Sequence, residues 1–208
     1  MSTDKNVRVF GGKTVEKLRR MILEQGQGIG TDIAKVDMFL NHRIDTELLF
    51  DMGRAWADAF RDGKPDLVLT VEASGIAMAV AAAHALGDLP VVFAKKSATV
   101  VQNDDMVQAP VYSFTHKKQN MIRIDRRYLP AGSRVLIIDD FLADGQAAHG
   151  MMELCRQQGA EVVGVGIAVE KGFQPGGKAL RDAGVPLVSL AVIDRIEDGK
   201  IILRPEDD

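Results

Sequence analysis

The chain has 208 residues, 46% hydrophobic and 26% charged, proportions that exclude a disordered or collagen-like protein and suit one α/β-sized unit burying ~70% of its unfolded surface. Its 26 basic and 29 acidic residues give a net charge of −3, which offers no electrostatic footprint for nucleic acid or anionic membrane. The single cysteine, Cys155, excludes an internal disulfide or a Cys-built zinc site and fits a reducing compartment, so the cytoplasm is the expected location.

Residues 1–12 are polar, lack the apolar core of a signal peptide and are read as a frayed leader. A helix is expected from Thr14, taken as its cap, with Val15, Leu18, Met21 and Ile22 at helical spacing. The glycine-rich run at 26–30 is read as the end of that helix, because a dinucleotide loop follows a strand. Residues 35–43 look irregular, and Thr46 is expected to cap a second helix reaching about Arg61, with Leu49, Met52, Trp56 and Phe60 along one side. The nearly continuous apolar run at 67–71 predicts a buried parallel strand, followed by an alanine-rich helix over 76–85 and a strand over 90–93. That apolar helix, interrupted by His84, is far short of the ~20 residues that cross a membrane.

Residues 95–110 show no period and are read as a long functional loop. Residues 111–114 and 121–124 suggest a hairpin. A buried strand at 135–138, a helix over 145–158, a strand over 162–169 and a last strand at 187–190 complete the pattern. Strands alternating with helices predict an α/β fold with a parallel sheet.

The densest chemistry lies in VLIIDDFLADGQAA over 135–148. After four apolar residues, Asp139 and Asp140 are expected to emerge at the C-terminal edge of the sheet, where open α/β sheets bind ligands. The turn containing Gly145 opens directly into a helix, so the backbone N–H groups of 144–148 can converge on an anion. Carboxylates beside such a cradle would repel a phosphate unless a sugar lay between them. Ribose hydroxyls on the acids with a 5-phosphate in the turn satisfy that condition, and Mg²⁺ on a diphosphate supplies a second reason for the acids.

With this segment the chain resembles the type I phosphoribosyltransferases. KVD at 35–37, FLNH at 39–42, VYSFT at 111–115, GQAAHG at 145–150 and EKGFQPG at 170–176 extend the resemblance to the xanthine-using, purine-salvage branch, from about Thr14 onward. The resemblance implies a central parallel sheet flanked by helices, a flexible loop or hairpin, and a small hood over the base. It places these in one domain, 13–208, with the hood drawn from about residues 27–45 and the C-terminal part. It implies phosphoribosyl transfer from 5-phosphoribosyl 1-diphosphate (PRPP) to xanthine through an oxocarbenium-like transition state. Mg²⁺ would be carried by the diphosphate with no direct protein ligand assigned, and the enzyme would be a homodimer with neither nucleic acid nor membrane as partner.

Residue by residue, the resemblance makes Ala143, Asp144, Gly145, Gln146 and Ala147 the 5-phosphate loop and Asp139 with Asp140 the catalytic, ribose-contacting pair. Ser74 and Gly75 fall in a diphosphate loop. Lys95 and Lys96 would meet the diphosphate, with Lys95 counted among the catalytic groups. Lys171 would read the purine 6-oxo edge, Phe173 stack on the base, Asn41 contact its 2-oxo side and Ala34 line the pocket. An ammonium donates and cannot accept, so Lys171 suits a carbonyl and disfavours an exocyclic amine.

Two positions depart from the family pattern: Asp144 stands where many members have Thr or Asn, and Ala34 where a larger apolar residue is common. Asp144 is expected to turn its carboxylate onto the N-terminus of the following helix. Ala143 also lacks the acid that hypoxanthine-guanine enzymes carry there, so catalysis would lean on orientation, leaving-group stabilisation and water exclusion by the 95–110 loop. Alternatives are the same reaction on hypoxanthine or guanine, or a purine- or PRPP-sensing regulatory module. Repressors of that kind need a DNA-binding segment for which residues 1–12 are too short. No Walker motif occurs, and the four histidines lack zinc-ligand spacing.

Overall fold

The computed structural model describes residues 13–96, 105–113 and 118–205. Helix α1 (Lys13–Gln25) leads into a small antiparallel hairpin, β1 (Gln27–Ile29) with β2 (Ile33–Lys35), and then α2 (Thr46–Phe60). Strand β3 (Leu67–Val71), helix α3 (Gly75–Ala85) and strand β4 (Val91–Ala94) form the expected βαβ unit. A second antiparallel hairpin, β5 (Met106–Ser113) with β6 (Lys118–Asp125), precedes β7 (Arg134–Leu142), α4 (Gln146–Gln158) and β8 (Glu161–Lys171). Helix α5 (Pro175–Asp182) and strands β9 (Leu187–Glu197) and β10 (Lys200–Leu203) close the order.

The main sheet has six strands in the order β10-β9-β8-β7-β3-β4, parallel except for β10. Both faces are covered, which is why β3 is buried at every position and reads LVLTV without alternation. One face packs Leu18, Ile22, Trp56 and Met78 of α1, α2 and α3 on Val68, Leu136 and Ile138. The other packs Met151, Leu154 and Cys155 of α4, with Val107 and Ile122 of the β5–β6 hairpin, on Leu69, Ile137 and Val165. Each such large apolar side chain contributes about 1.5–3 kcal/mol by leaving water. Burial pushes the Cys155 thiol up to about 12, as befits a core residue.

Several expectations need correction. The 26–30 run ends α1 but also supplies β1, because Gly28 donates to the Gly199 carbonyl at 2.9 Å and ties the small hairpin to the β9–β10 turn. The cap of α2 is Asp45 and not Thr46: its Oδ1 accepts from Leu48 N–H at 2.9 Å, which lowers its pKa. Thr14 lies inside α1, which starts at Lys13. The span 95–110 is not all loop. From Met106 it is strand, with Val107 and Ala109 facing the core. Residues 97–104, where a closing lid was expected, lie outside the described residues, as do the leader and residues 114–117.

Candidate active site

Strand β7 pairs with β3 only as far as Ile137, through Leu67–Val135, Val68–Leu136 and Leu69–Ile137, whereas it stays paired with β8 to Leu142. The C-terminal ends of β3 and β7 therefore part. From β3 the chain crosses through α3 to β4; from β7 it crosses the other way through α4 to β8. A crevice at such a reversal is where open α/β sheets bind ligands. Two short turns border it, 72–74 ahead of α3 and 143–145 ahead of α4, and each opens a helix whose first N–H groups and positive end favour an anion.

The acidic pair sits inside β7 and not beyond its end, so successive side chains diverge. Asp139 is buried. Its Oδ1 accepts from Asp140 N–H at 3.0 Å and faces the α3 turn, where a Cβ on Gly75 would stand 3.0 Å from it and collide with the buried Thr70 hydroxyl. Asp140 is half-buried and turns the other way, its Oδ2 accepting from Asn41 Nδ2 at 3.1 Å. Burial, then the Asp140 charge, push the Asp139 carboxyl well above the usual carboxylate range, with the Lys96 ammonium acting in the opposite sense.

That shift has a pH signature. The folded protein holds the Asp139 proton more tightly than the unfolded chain, so this residue costs stability increasingly as pH rises above 3.8 and costs nothing below it. Asp139→Asn removes the ionisable group. Its Tm should match wild type near pH 4 and exceed it by pH 8, by roughly 2–4 °C for each kcal/mol recovered. A Tm difference independent of pH would contradict this account.

In the α4 turn, Gly145 takes φ 87°, a left-handed conformation that disfavours any side chain. Asp144 Oδ1 accepts from Gln146 N–H at 3.2 Å, the helix-opening bond expected of it. The cap of α4 is Gly145, and Asp144 makes a turn bond two residues on, which Asn can also make, so Asp144→Asn should leave the KM for PRPP within about threefold. Tightening by tenfold or more would show instead that the carboxylate opposes the phosphate. Ala143 accepts from Gly176 N–H at 3.0 Å, which seats the start of α5 on this turn.

At the end of β8, next to β7, stands half-buried Lys171. Its Nζ donates to the Asp32 carbonyl at 2.6 Å, in the turn of the β1–β2 hairpin, and lies 5.9 Å from the Phe141 ring centroid. Burial lowers its pKa, opposed by the charges of Asp32 and then Asp144. Phe173 follows two residues later and is 38% exposed, an aromatic face without full cover. Ala34 pairs with Gly28 in the same hairpin and packs against the core. Lys171, Asn41, Asp140 and the β1–β2 hairpin thus meet at one end of the crevice.

The two lysines after β4 separate. Lys96 N–H donates to Glu72 Oε1 at 2.6 Å and its charge reaches Asp139. Lys95 instead pairs its backbone with Arg123 and lines a groove of about 900 Å³ along the outer edge of β4, so the two lysines have different surroundings. Sequence reasoning missed two groups here. Glu72 stands just ahead of the Ser74–Gly75 turn without a motif of its own, and the Asp32 carbonyl, being backbone, has no side-chain signature.

Residues 42–196 match the phosphoribosyl transferase domain, and the chain belongs to that family. It is 47% identical to a protein named xanthine phosphoribosyltransferase from Lactococcus lactis subsp. cremoris, over 92% of this chain and 96% of that one. It is 46% identical to xanthine phosphoribosyltransferase 1 of Clostridium perfringens, over 91% of this chain and 100% of that one. Among solved structures, the adenine phosphoribosyltransferase of Rhodothermus marinus superposes with a TM-score of 0.70 at 24% identity, covering 86% of this chain and 98% of that one. At that identity the likeness speaks for the fold, which is the type I architecture expected from the 135–148 segment. No described helix is long and apolar enough to cross a membrane.

Proposed function

We propose that the chain transfers the 5-phosphoribosyl group of PRPP to xanthine, giving xanthosine 5′-monophosphate and diphosphate. The observation that carries this reading is a single crevice holding two helix-opening turns, an acidic pair between them and a half-buried lysine at one end. The bond from C1′ to the diphosphate oxygen breaks, a bond from C1′ to a ring nitrogen of the base forms, and the base proton leaves to solvent.

Ala143 to Ala147 would hold the 5-phosphate, and Ser74 and Gly75 with Lys96 would meet the diphosphate. Asp140, on the Asn41 side of the strand, would meet the sugar, and Asp139, on the other side, would face the α3 turn that borders the diphosphate. Lys95 is better placed at the outer groove than at the leaving group. The β1–β2 hairpin and the segment carrying Asn41 form the hood, with Phe173 against the base. Of the three ammonium hydrogens of Lys171, one goes to Asp32, which leaves donors for a 6-oxo group. Adenine offers no acceptor there.

The donors suit a hard divalent cation. Mg²⁺ binds through one or two carboxylates plus substrate phosphates, and the crevice carries the adjacent carboxyls of Asp139 and Asp140, the first raised by burial and then by its neighbour's charge. In this reading the ion comes with the diphosphate, whose developing charge it would neutralise. Orientation and electrostatic stabilisation of the leaving group then supply the rate, with no nucleophilic side chain.

The reading includes a cytoplasmic homodimer. Exposed Phe93 and Tyr128 on the outer groove, rimmed by Asp66, Arg123 and Arg127, offer a surface of mixed charge that can complement itself about a two-fold axis. Sedimentation should give the dimer mass. The decisive experiment is turnover with PRPP and magnesium against xanthine, guanine, hypoxanthine and adenine. Highest kcat/KM with xanthine is expected. Preference for guanine or hypoxanthine would move the reading to that branch, and no turnover with any base would overturn it.

A further inference from the structure

Strand β8 ends in Glu170 and Lys171, and the chain runs through Gly172 and Phe173 directly into α5. Glu170 is only 2% exposed, yet three donors hold its carboxylate. Arg181 of α5 reaches Oε1 at 2.8 Å and Oε2 at 2.7 Å as a fork, and Ser189 Oγ of β9 donates to Oε2 at 2.5 Å. Taking two charges out of water is costly, and apolar side chains of like volume often stabilise a fold as well or better. Stability alone is therefore a poor account of this pair.

What a fork adds is direction. The first turn of α5 has no slack on either side. A Cβ on Gly177 would collide with Glu170 Oε1. One on Gly176 would stand 2.5 Å from the Ala143 carbonyl oxygen and 2.6 Å from Gly145 N. Gly176 N–H is bonded to that same carbonyl at 3.0 Å. So one short helix is pressed on one side against the carboxylate that precedes Lys171 and on the other against the turn that opens α4.

We propose that Glu170 and Arg181 are positioning residues that hold the lysine at the base end and the 5-phosphate turn at one fixed spacing, with α5 as the spacer. The inference rests on the phosphoribosyl-transfer reading for what occupies each end. Neither residue touches substrate; both act through α5. Ser189 fixes the carboxylate rotamer, and the two glycines permit the approach.

The test compares wild type with R181K and with the apolar double variant E170M/R181M, measuring KM for xanthine and for PRPP, kcat, and Tm. Calorimetric binding of ribose 5-phosphate and of xanthine, each alone, accompanies the kinetics. R181K keeps the charge and loses the planar fork. It should raise both KM values together, on the order of tenfold, since a misplacement near 1 Å can cost about a hundredfold. The double variant should hold Tm near wild type while both KM values stay raised.

Recovery of both constants along with Tm in the double variant would reduce the pair to a fold stabiliser and overturn the proposal. So would a change in only one substrate's constant, because the two ends would then be independent. Should the double variant fail to fold, R181K decides alone, and constants within twofold of wild type overturn the positioning role. If wild type itself turns over no purine, the functional reading has failed. The two binding titrations then still report whether R181K moves both ends.

Discussion

Lys171→Ala is expected to raise the KM for xanthine by roughly ten- to a hundredfold, the range a charge-assisted hydrogen bond is worth, while the KM for PRPP stays within about twofold. The asymmetry follows from geometry. Lys171 stands at the hairpin end of the crevice, bonded to the Asp32 carbonyl and beside the Phe141 ring, whereas the phosphate-binding turns lie at the openings of α3 and α4. Equal loss in both constants would show that the lysine supports the crevice as a whole. Protonation adds a second signature. Burial holds the Lys171 pKa below 10.5, so the ammonium loses its charge and one donor as pH climbs through that lowered value. The wild-type KM for xanthine should rise along this alkaline limb, and the alanine variant, having nothing to titrate there, should lack that part of the rise.

The parts of this site legible in the amino-acid order are those built from local chain. LVLTV and VLIID are buried on both faces, so they read as parallel strands before any partner is known, and Gly145 after an acidic pair announces a turn into a helix. What stayed hidden depends on partners far along the chain. The β1–β2 hairpin pairs only Gln27 to Ile29 with Ile33 to Lys35, too short for alternation to show, and is held by Gly199. Helix α5 begins Pro-Gly-Gly, which reads as a turn; its direction comes from Arg181 gripping Glu170 and from Gly176 on Ala143. Lys95 and Lys96 looked like a matched pair, but consecutive residues at a strand end point apart, and only Lys96 reaches the acids. Asp139 and Asp140 diverge for the same reason. A sequence names the groups and the edge at which they collect, while strand parity and distant contacts decide which of them face the same ligand.

Gly145→Ala is expected to damage phosphate binding. Two costs add at this position. At φ 87° an L side chain crowds its own carbonyl, a penalty of about 1–2 kcal/mol, and the new Cβ would stand 3.2 Å from Gly176 Cα and 3.4 Å from His149 Cδ2. The exposed His149 ring can turn aside, but Gly176 cannot yield easily, because its N–H is bonded to the Ala143 carbonyl at 3.0 Å. Relief must come from rotating the turn itself, which redirects the N–H groups proposed to hold the 5-phosphate. The KM for PRPP should rise by on the order of tenfold or more, and Tm should fall by roughly 2–4 °C per kcal/mol of strain retained in the folded state. The KM for xanthine should rise too, but less, because Lys171 feels the turn only through α5 and is held directly on the Asp32 carbonyl as well. A variant with wild-type PRPP kinetics would mean that the phosphate is held elsewhere in the crevice, and the α3 turn at Ser74 and Gly75 would then be the place to substitute next.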